Sequence, residues 1–193
     1  MKVIRYGSIL PVVQSPTLHN LPLRLCVLCA GTVLLFAGLA GASAQEPMKI
    51  ASPAFPDGGK IPVRYTADGE NISPPLQVSG VPAGAKSLVL IVDDPDAPMG
   101  TWTHWLVWNL KPDLREIAEA GVQAGAVQGS NDFGKSAYGG PSPPSGVHRY
   151  YFKLYALDTQ LDLPPATKRK KLDTALRGHI LATAIWMGRY ARP

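Results

Sequence analysis

The sequence predicts a mainly antiparallel β domain carrying one or two short helices. Three observations lead there. Four stretches rich in aliphatic, β-branched and aromatic residues each have the length of a strand. The 19 glycines and 19 prolines are scattered along 193 residues, as many short turns require, rather than gathered in one linker. Helical periodicity is confined to two short segments, and the chain shows no internal repeat and no second domain.

Residues 1–44 stand apart from that domain. Lys2, Arg5 and Arg24 precede an uncharged run, Leu25 to Gly41, which ends in Ala42-Ser43-Ala44. A basic stretch, an apolar stretch and an A-x-A site in that order predict a secretory signal peptide cut after Ala44. An uncut membrane anchor is the competing reading. The apolar run lies at the short edge of what spans a bilayer and no basic stop-transfer cluster follows it, so no membrane span is expected after processing. The protein is therefore expected in the periplasm or outside the cell. Cys26 and Cys29, the two cysteines, both fall in the leader. Leu28 before Cys29 is too large for a lipoprotein site. The mature chain, 45–193, thus has no disulfide, no thiolate metal ligand and no cysteine nucleophile to call on. Three of the 19 basic residues leave with the leader, and the mature net charge drops from +5 to +2. A charge that small does not suggest nucleic-acid binding. The single basic run, Lys168 to Lys171, reads as a solvated helix face, because polyanion sites need more clustered charge.

Along the mature chain, Ile61 to Thr66 is a weak strand candidate, held back by Pro62. Ser87 to Asp93 is a continuous apolar run between turn residues, the pattern of a strand buried on both faces. Trp102 to Leu110 is a second strand. Pro112 to Ala120 has the length of one short helix. Gly121 to Gly146 carries at least eight glycines and prolines without periodicity. It reads as a long loop, and long loops in compact domains are usually functional or disordered. Tyr150 to Leu157 is a third strand. Thr167 to Arg177 is a helix with Leu172 and Leu176 on one face, Thr167 as cap and Gly178 as stop. Ile180 to Tyr190 is the fourth strand.

Three segments concentrate unusual chemistry. Asp93-Asp94-Pro95-Asp96-Ala97-Pro98 packs three acids into a turn stiffened by prolines, and crowded carboxylates repel unless something offsets them. Trp102-Thr103-His104-Trp105 opens a strand with a histidine among aromatics. Alone, such a histidine is more often a core residue than a ligand. Gly139-Gly140-Pro141-Ser142-Pro143-Pro144-Ser145-Gly146 runs directly into Val147-His148-Arg149-Tyr150. Glycines there let backbone approach a ligand, and His148 and Tyr150, two apart in a strand, share one face. Arg149 points the other way, toward an Asp.

Taken together, Asp94-Pro95-Asp96-Ala97-Pro98, then Trp102-x-His104, then the Gly-Pro loop ending in His148-Arg149-Tyr150, resemble the signature set of the phosphatidylethanolamine-binding family. Asn71-Ile72-Ser73-Pro74-Pro75-Leu76 resembles a further family segment. The resemblance runs from about Phe55 to the C-terminus and is nearest to the bacterial Raf kinase inhibitor-like branch. It implies two antiparallel β-sheets packed together with a small anion pocket at one end. It implies a ligand-binding set of Asp94, Asp96, His104, His148 and Tyr150, with backbone from Gly139 and Gly140. Two imidazoles, a phenol and backbone N–H groups are donors suited to phosphate oxygens. The chain departs from some members at Thr103, where they carry a second histidine, and in a short C-terminal segment after the last strand.

The resulting expectation is a non-enzymatic binding protein for phosphate or a phospholipid headgroup, an inhibitor or modulator of another protein, with no catalytic residue, metal or cofactor. The alternative is a metal-assisted hydrolase using Asp94, Asp96, His104 and His148 as ligands. No G-x-S-x-G elbow supports a serine hydrolase. The loop from Gly121 to Pro144 is a third candidate, as a surface for a protein partner. The resemblance also raises a homodimer, for which the sequence shows no seam.

Overall fold

In the computed structural model, residues 46–193 are described; the signal-peptide reading lies outside them. Eight strands and one helix follow in order: β1 Lys49–Ala51, β2 Leu76–Ser79, β3 Ser87–Asp94, β4 Trp102–Leu110, β5 Glu116–Ile117, β6 Val127–Gln128, β7 His148–Leu157, α1 Arg169–Leu176 and β8 Ile180–Tyr190. They form two antiparallel sheets, a small one ordered β1-β2-β5 and a large one ordered β6-β4-β3-β7-β8. The mainly β, two-sheet expectation holds.

β3 lies at the middle of the large sheet, and all eight of its residues are buried. Its alternation separates two cores. Leu88, Leu90 and Val92 point inward and meet Ile50, Leu76, Val78 and Ile117 of the small sheet, with Tyr150, Phe152 and Leu154 of β7 beside them. Val89 and Ile91 point outward, where Leu106, Trp108 and Leu157 lie under Leu172 and Leu176 of α1. The helix covers the outer face of the sheet, which explains why β3 reads as apolar on both sides.

Asp93 is the polar exception on the outer face. Its carboxylate is buried, and Oδ2 accepts bonds from Lys153 Nζ and Arg169 Nη1, each 2.8 Å away. Arg169 also binds Asp173 at 2.7 Å. The basic run therefore splits: Arg169 turns in to join α1 to the sheet, while Lys168, Lys170 and Lys171 remain exposed. Asp93→Asn is expected to cost roughly 2 kcal/mol in denaturant unfolding, since it leaves two half-buried cations without their counter-ion. An unchanged midpoint would contradict this role.

Several elements differ from expectation. Ile61 does begin a pairing, donating N–H to the Arg189 carbonyl at 2.8 Å. Pro62 has no N–H to continue it, and the chain bends into a 3-10 turn at Val63–Tyr65 instead of a strand. Pro112 to Ala120 is not a helix. Leu114 and Ile117 have helical spacing, but Glu116–Ile117 pairs with β2, with Ile117 opposite Leu76. Thr167 does not cap α1; its hydroxyl donates to the Pro164 carbonyl at 2.7 Å. Gly178 does stop the helix, at φ +82°. No helix among the described residues is long and apolar enough to cross a membrane.

Candidate functional site

Asp94 closes β3 and His148 opens β7, and the β3–β7 ladder sets these ends side by side, with Asp93 opposite Tyr151. The His148 ring donates from Nδ1 to Asp94 Oδ2 at 2.7 Å, both groups being buried. Asp94 Oδ1 accepts the backbone N–H of Asp96 at 2.8 Å, which folds the Asp-Pro-Asp turn back on itself. The carboxylate is thus engaged at both oxygens, and its Oδ2 fixes which His148 nitrogen carries a proton: Nδ1, leaving Nε2 outward.

His104 arrives by a different device. Across β3 and β4, Val92 pairs with Trp105 and Asp93 with Thr103, so His104 is the extra residue of a β-bulge. The bulge breaks the alternation that would send His104 and Trp105 to opposite faces. His104 packs edge-on against the inward Tyr150 ring, with centroids 5.2 Å apart, while Trp105 belongs to the inner core. Its Nδ1 lies 2.6 Å from the Gly139 carbonyl, which can only accept, so this nitrogen also carries the proton. Burial pulls the His104 pKa below its ordinary 6.5, with the Gly139 bond opposing. A neutral ring with Nδ1–H leaves an Nε2 lone pair free.

Tyr150, 1% exposed, has a hydroxyl with no well-formed hydrogen bond among the described residues. Asp94 and the Ser142 backbone lie close enough to act on it, but neither meets it in good bonding geometry. Burial, then the Asp94 charge, holds the phenol well above its usual pKa, so it remains an O–H donor. A buried hydroxyl without a partner forfeits about 1–3 kcal/mol of desolvation, so its presence needs a reason.

The remaining residues of the set hold these in place. Arg149 does turn toward an Asp: it grips Asp96 through Nε at 2.9 Å and Nη2 at 2.6 Å, and its backbone N–H adds a third bond at 2.9 Å. That grip lowers the Asp96 pKa to about 2. Asp96 therefore sits at the rim, bound to Arg149. Gly139 N–H donates to the His104 carbonyl and Gly140 N–H to Asn71 Oδ1, so both are spent within the fold. What these glycines supply is room. A Cβ on Gly139 would come within 2.7 Å of the Phe133 ring, and one on Gly140 within 2.8 Å of Thr66 backbone.

Asn131 was not legible as a site residue. Buried in the long loop, it donates to the carbonyls of His104 and Ala137 and accepts from the N–H groups of Phe133 and Lys135. It ties loop 131–139 to the bulge, and Phe133 then packs on His104 with centroids 5.4 Å apart. A cavity of about 160 Å³ opens against Asn71, Asn131, Phe133, Gly139 and Gly140. A broader one of about 650 Å³ has His148 in its wall. Among the described residues, no three His, Cys, Asp or Glu side chains converge as metal ligands.

Two packed antiparallel sheets, with an Asp–His pair, a bulged histidine and a buried tyrosine toward the strand ends, define a mainly β protein with a polar cluster at one end of its large sheet. The family model of phosphatidylethanolamine-binding proteins matches residues 51–191, and the chain belongs to that family. A UPF0098 protein of Methanothermobacter thermautotrophicus is 55% identical over 150 residues, 75% of this chain and 99% of that one. The crystal structure of the phosphatidylethanolamine-binding protein homologue CT736 of Chlamydia trachomatis matches with TM-score 0.73 and 47% identity, over 76% of this chain and 99% of that one. YbcL of E. coli, described as a member of the mammalian family, matches with TM-score 0.72 and 31% identity, over 77% and 100%.

Proposed function

We propose that the protein is an exported, non-enzymatic binding protein whose Asp94–His148, His104 and Tyr150 cluster takes the phosphoryl group of a small phosphate ester or phospholipid headgroup. In this reading it modulates another protein. The observation that carries the pocket is the buried Tyr150 hydroxyl, left without a partner beside two imidazoles whose Nδ1 atoms are both committed to the fold. An anion bound there satisfies the phenol and engages both Nε2 positions. The glycines contribute by positioning His104 rather than by donating. Export rests on the leader, and the secreted protein is expected to begin at Gln45; N-terminal sequencing that finds Met1 retained would contradict it.

The tautomers give this reading a test. The neutral His104 ring presents a lone pair at Nε2, whereas anionic phosphoryl oxygens need donors. Binding against His104 must therefore bring in a proton, either onto that imidazole or on the ligand, whose second ionisation lies near pH 6. Calorimetric titration with phosphorylethanolamine in buffers of different ionisation enthalpy is expected to show uptake of about one proton at neutral pH, and affinity rising from about pH 8 to about pH 6.5. Binding without uptake, or with release, would contradict the geometry. Stability runs the other way. A histidine held neutral in the fold loses its contribution as the pH drops below 6.5, because the unfolded chain binds the proton first.

A further inference from the structure

The rim of the site carries more positive charge than the fold uses. Arg149 and Arg189 are direct cross-strand partners in the β7–β8 ladder, so their side chains leave the same face side by side. Like charges so placed destabilise a sheet unless an anion lies between them. Asp96 supplies one anion, and Arg149 takes both of its oxygens. Arg189 is exposed and makes no ion pair or side-chain hydrogen bond among the described residues, and the same is true of Lys60. Lys60 is held next to Arg189 by backbone: Arg189 N–H donates to the Gly59 carbonyl and its carbonyl accepts Ile61 N–H, both at 2.8 Å. Arg192, farther along, is already paired with Asp68 and Ser142.

The unpaired cations adjoin the pocket. The cavity of about 650 Å³ has His148, Val147, Asp96, Arg149 and Arg189 in its wall, and Arg189 and Val147 continue into a second cavity of about 450 Å³ that includes Lys60. The two neighbouring cavities share Val147 and Arg189 and together make a depression bordered by His148 on one side and Lys60 on the other.

We propose that this depression is a second anion subsite, so that the ligand of the pocket carries a phosphoryl group and, a few bonds away, a second acidic group that Arg189 and Lys60 receive. The inference rests on the phosphoryl reading of the His148 pocket and names its ligand class: doubly acidic phosphate esters over zwitterionic ones. Arg189 suits a carboxylate or second phosphate because its planar fork binds such groups through two parallel bonds.

O-phosphoserine and phosphorylethanolamine are the matched probes, since they differ only by one carboxylate. The purified protein is expected to bind O-phosphoserine about threefold more tightly or better at low salt, the size an exposed and partly screened charge pair gives. The preference fades at high salt. Arg189→Gln is expected to remove the preference while leaving phosphorylethanolamine affinity within about twofold, the limit for a residue outside the phosphoryl contacts. Equal affinities for the two probes, or a preference that survives both Arg189→Gln and Lys60→Gln, would overturn the subsite while leaving the phosphoryl pocket intact. Failure of a folded protein to bind either probe would overturn the pocket and the subsite together. Vesicles of phosphatidylcholine doped with phosphatidylserine tell the source of the ligand. Co-sedimentation lost in Arg189→Gln supports a lipid headgroup, and O-phosphoserine binding without co-sedimentation supports a soluble ester.

Discussion

His148→Ala is expected to abolish measurable binding of phosphorylethanolamine and inorganic phosphate, a loss of about 100-fold or more. The substitution removes one Nε2 contact and also strands Asp94. With His148 present, that carboxylate is spent on Nδ1–H and on the Asp96 N–H. Without the ring, a buried carboxylate oxygen is left bare where an anion must sit, and repulsion adds to the lost bond. Loss of a charge-assisted hydrogen bond alone accounts for roughly 1.5–3 kcal/mol, or about tenfold to 150-fold in affinity. The same bare carboxylate costs about 1–3 kcal/mol of stability, so circular dichroism must accompany the titration to show that the variant is folded. His148→Gln, with an amide that can still reach Asp94, should recover stability more than binding. Unchanged affinity in folded His148→Ala would remove the pocket from the account.

Trp108→Ala is expected to produce the opposite pattern, with large loss of stability and retained binding. Trp108 is fully buried on the outer face of β4, with Leu106, Leu172 and Leu176 around it. Gly129 closes over it, and any Cβ there would come within 2.8 Å of the indole. Deleting a side chain of this size from such packing costs about 3–5 kcal/mol. For a domain of this length that lowers the midpoint by on the order of 10 °C. Trp108 lies across the sheet from the inward cluster, so the fraction that remains folded should bind phosphorylethanolamine as the parent does. A midpoint shift of less than a few degrees would show that the α1 face is looser than its contacts indicate.

The contrast between these variants follows from their placement on opposite faces of the large sheet, and the two faces were not equally legible in the sequence. Four strands of the large sheet were legible because they are long and apolar: Trp102 to Leu110 and Ile180 to Tyr190 match β4 and β8 residue for residue, and β7 begins only two residues early, at His148, whereas the two-residue β6 lies inside the stretch read as a loop. The small sheet was not. Its strands run for three, four and two residues, too few to show a period. Their apolar members, Ile50, Leu76, Val78 and Ile117, are defined only by the sheet they cover. At the site, the pairing of His148 and Tyr150 on one face was readable from their spacing, as was the opposite direction of Arg149. The inward turn of His104 was not, because a bulge is fixed by the register of two strands and leaves no mark in either one. Nor was the role of Asn131, whose four bonds close a loop that has no periodicity at all. The two glycines were legible as a close approach of backbone, but the partner they approach is the site's own scaffold.

The most direct test of the central claim is long-range nitrogen–proton NMR of the imidazole rings during titration with inorganic phosphate. His104 and His148 are both expected to begin with the proton on Nδ1. Their Nε2 resonances are expected to move together and saturably as phosphate is added, while the exposed ring of His179 serves as an internal control. Saturable phosphate binding that leaves both Nε2 resonances in place, or that moves His179 instead, would put the anion elsewhere on the protein and contradict the account.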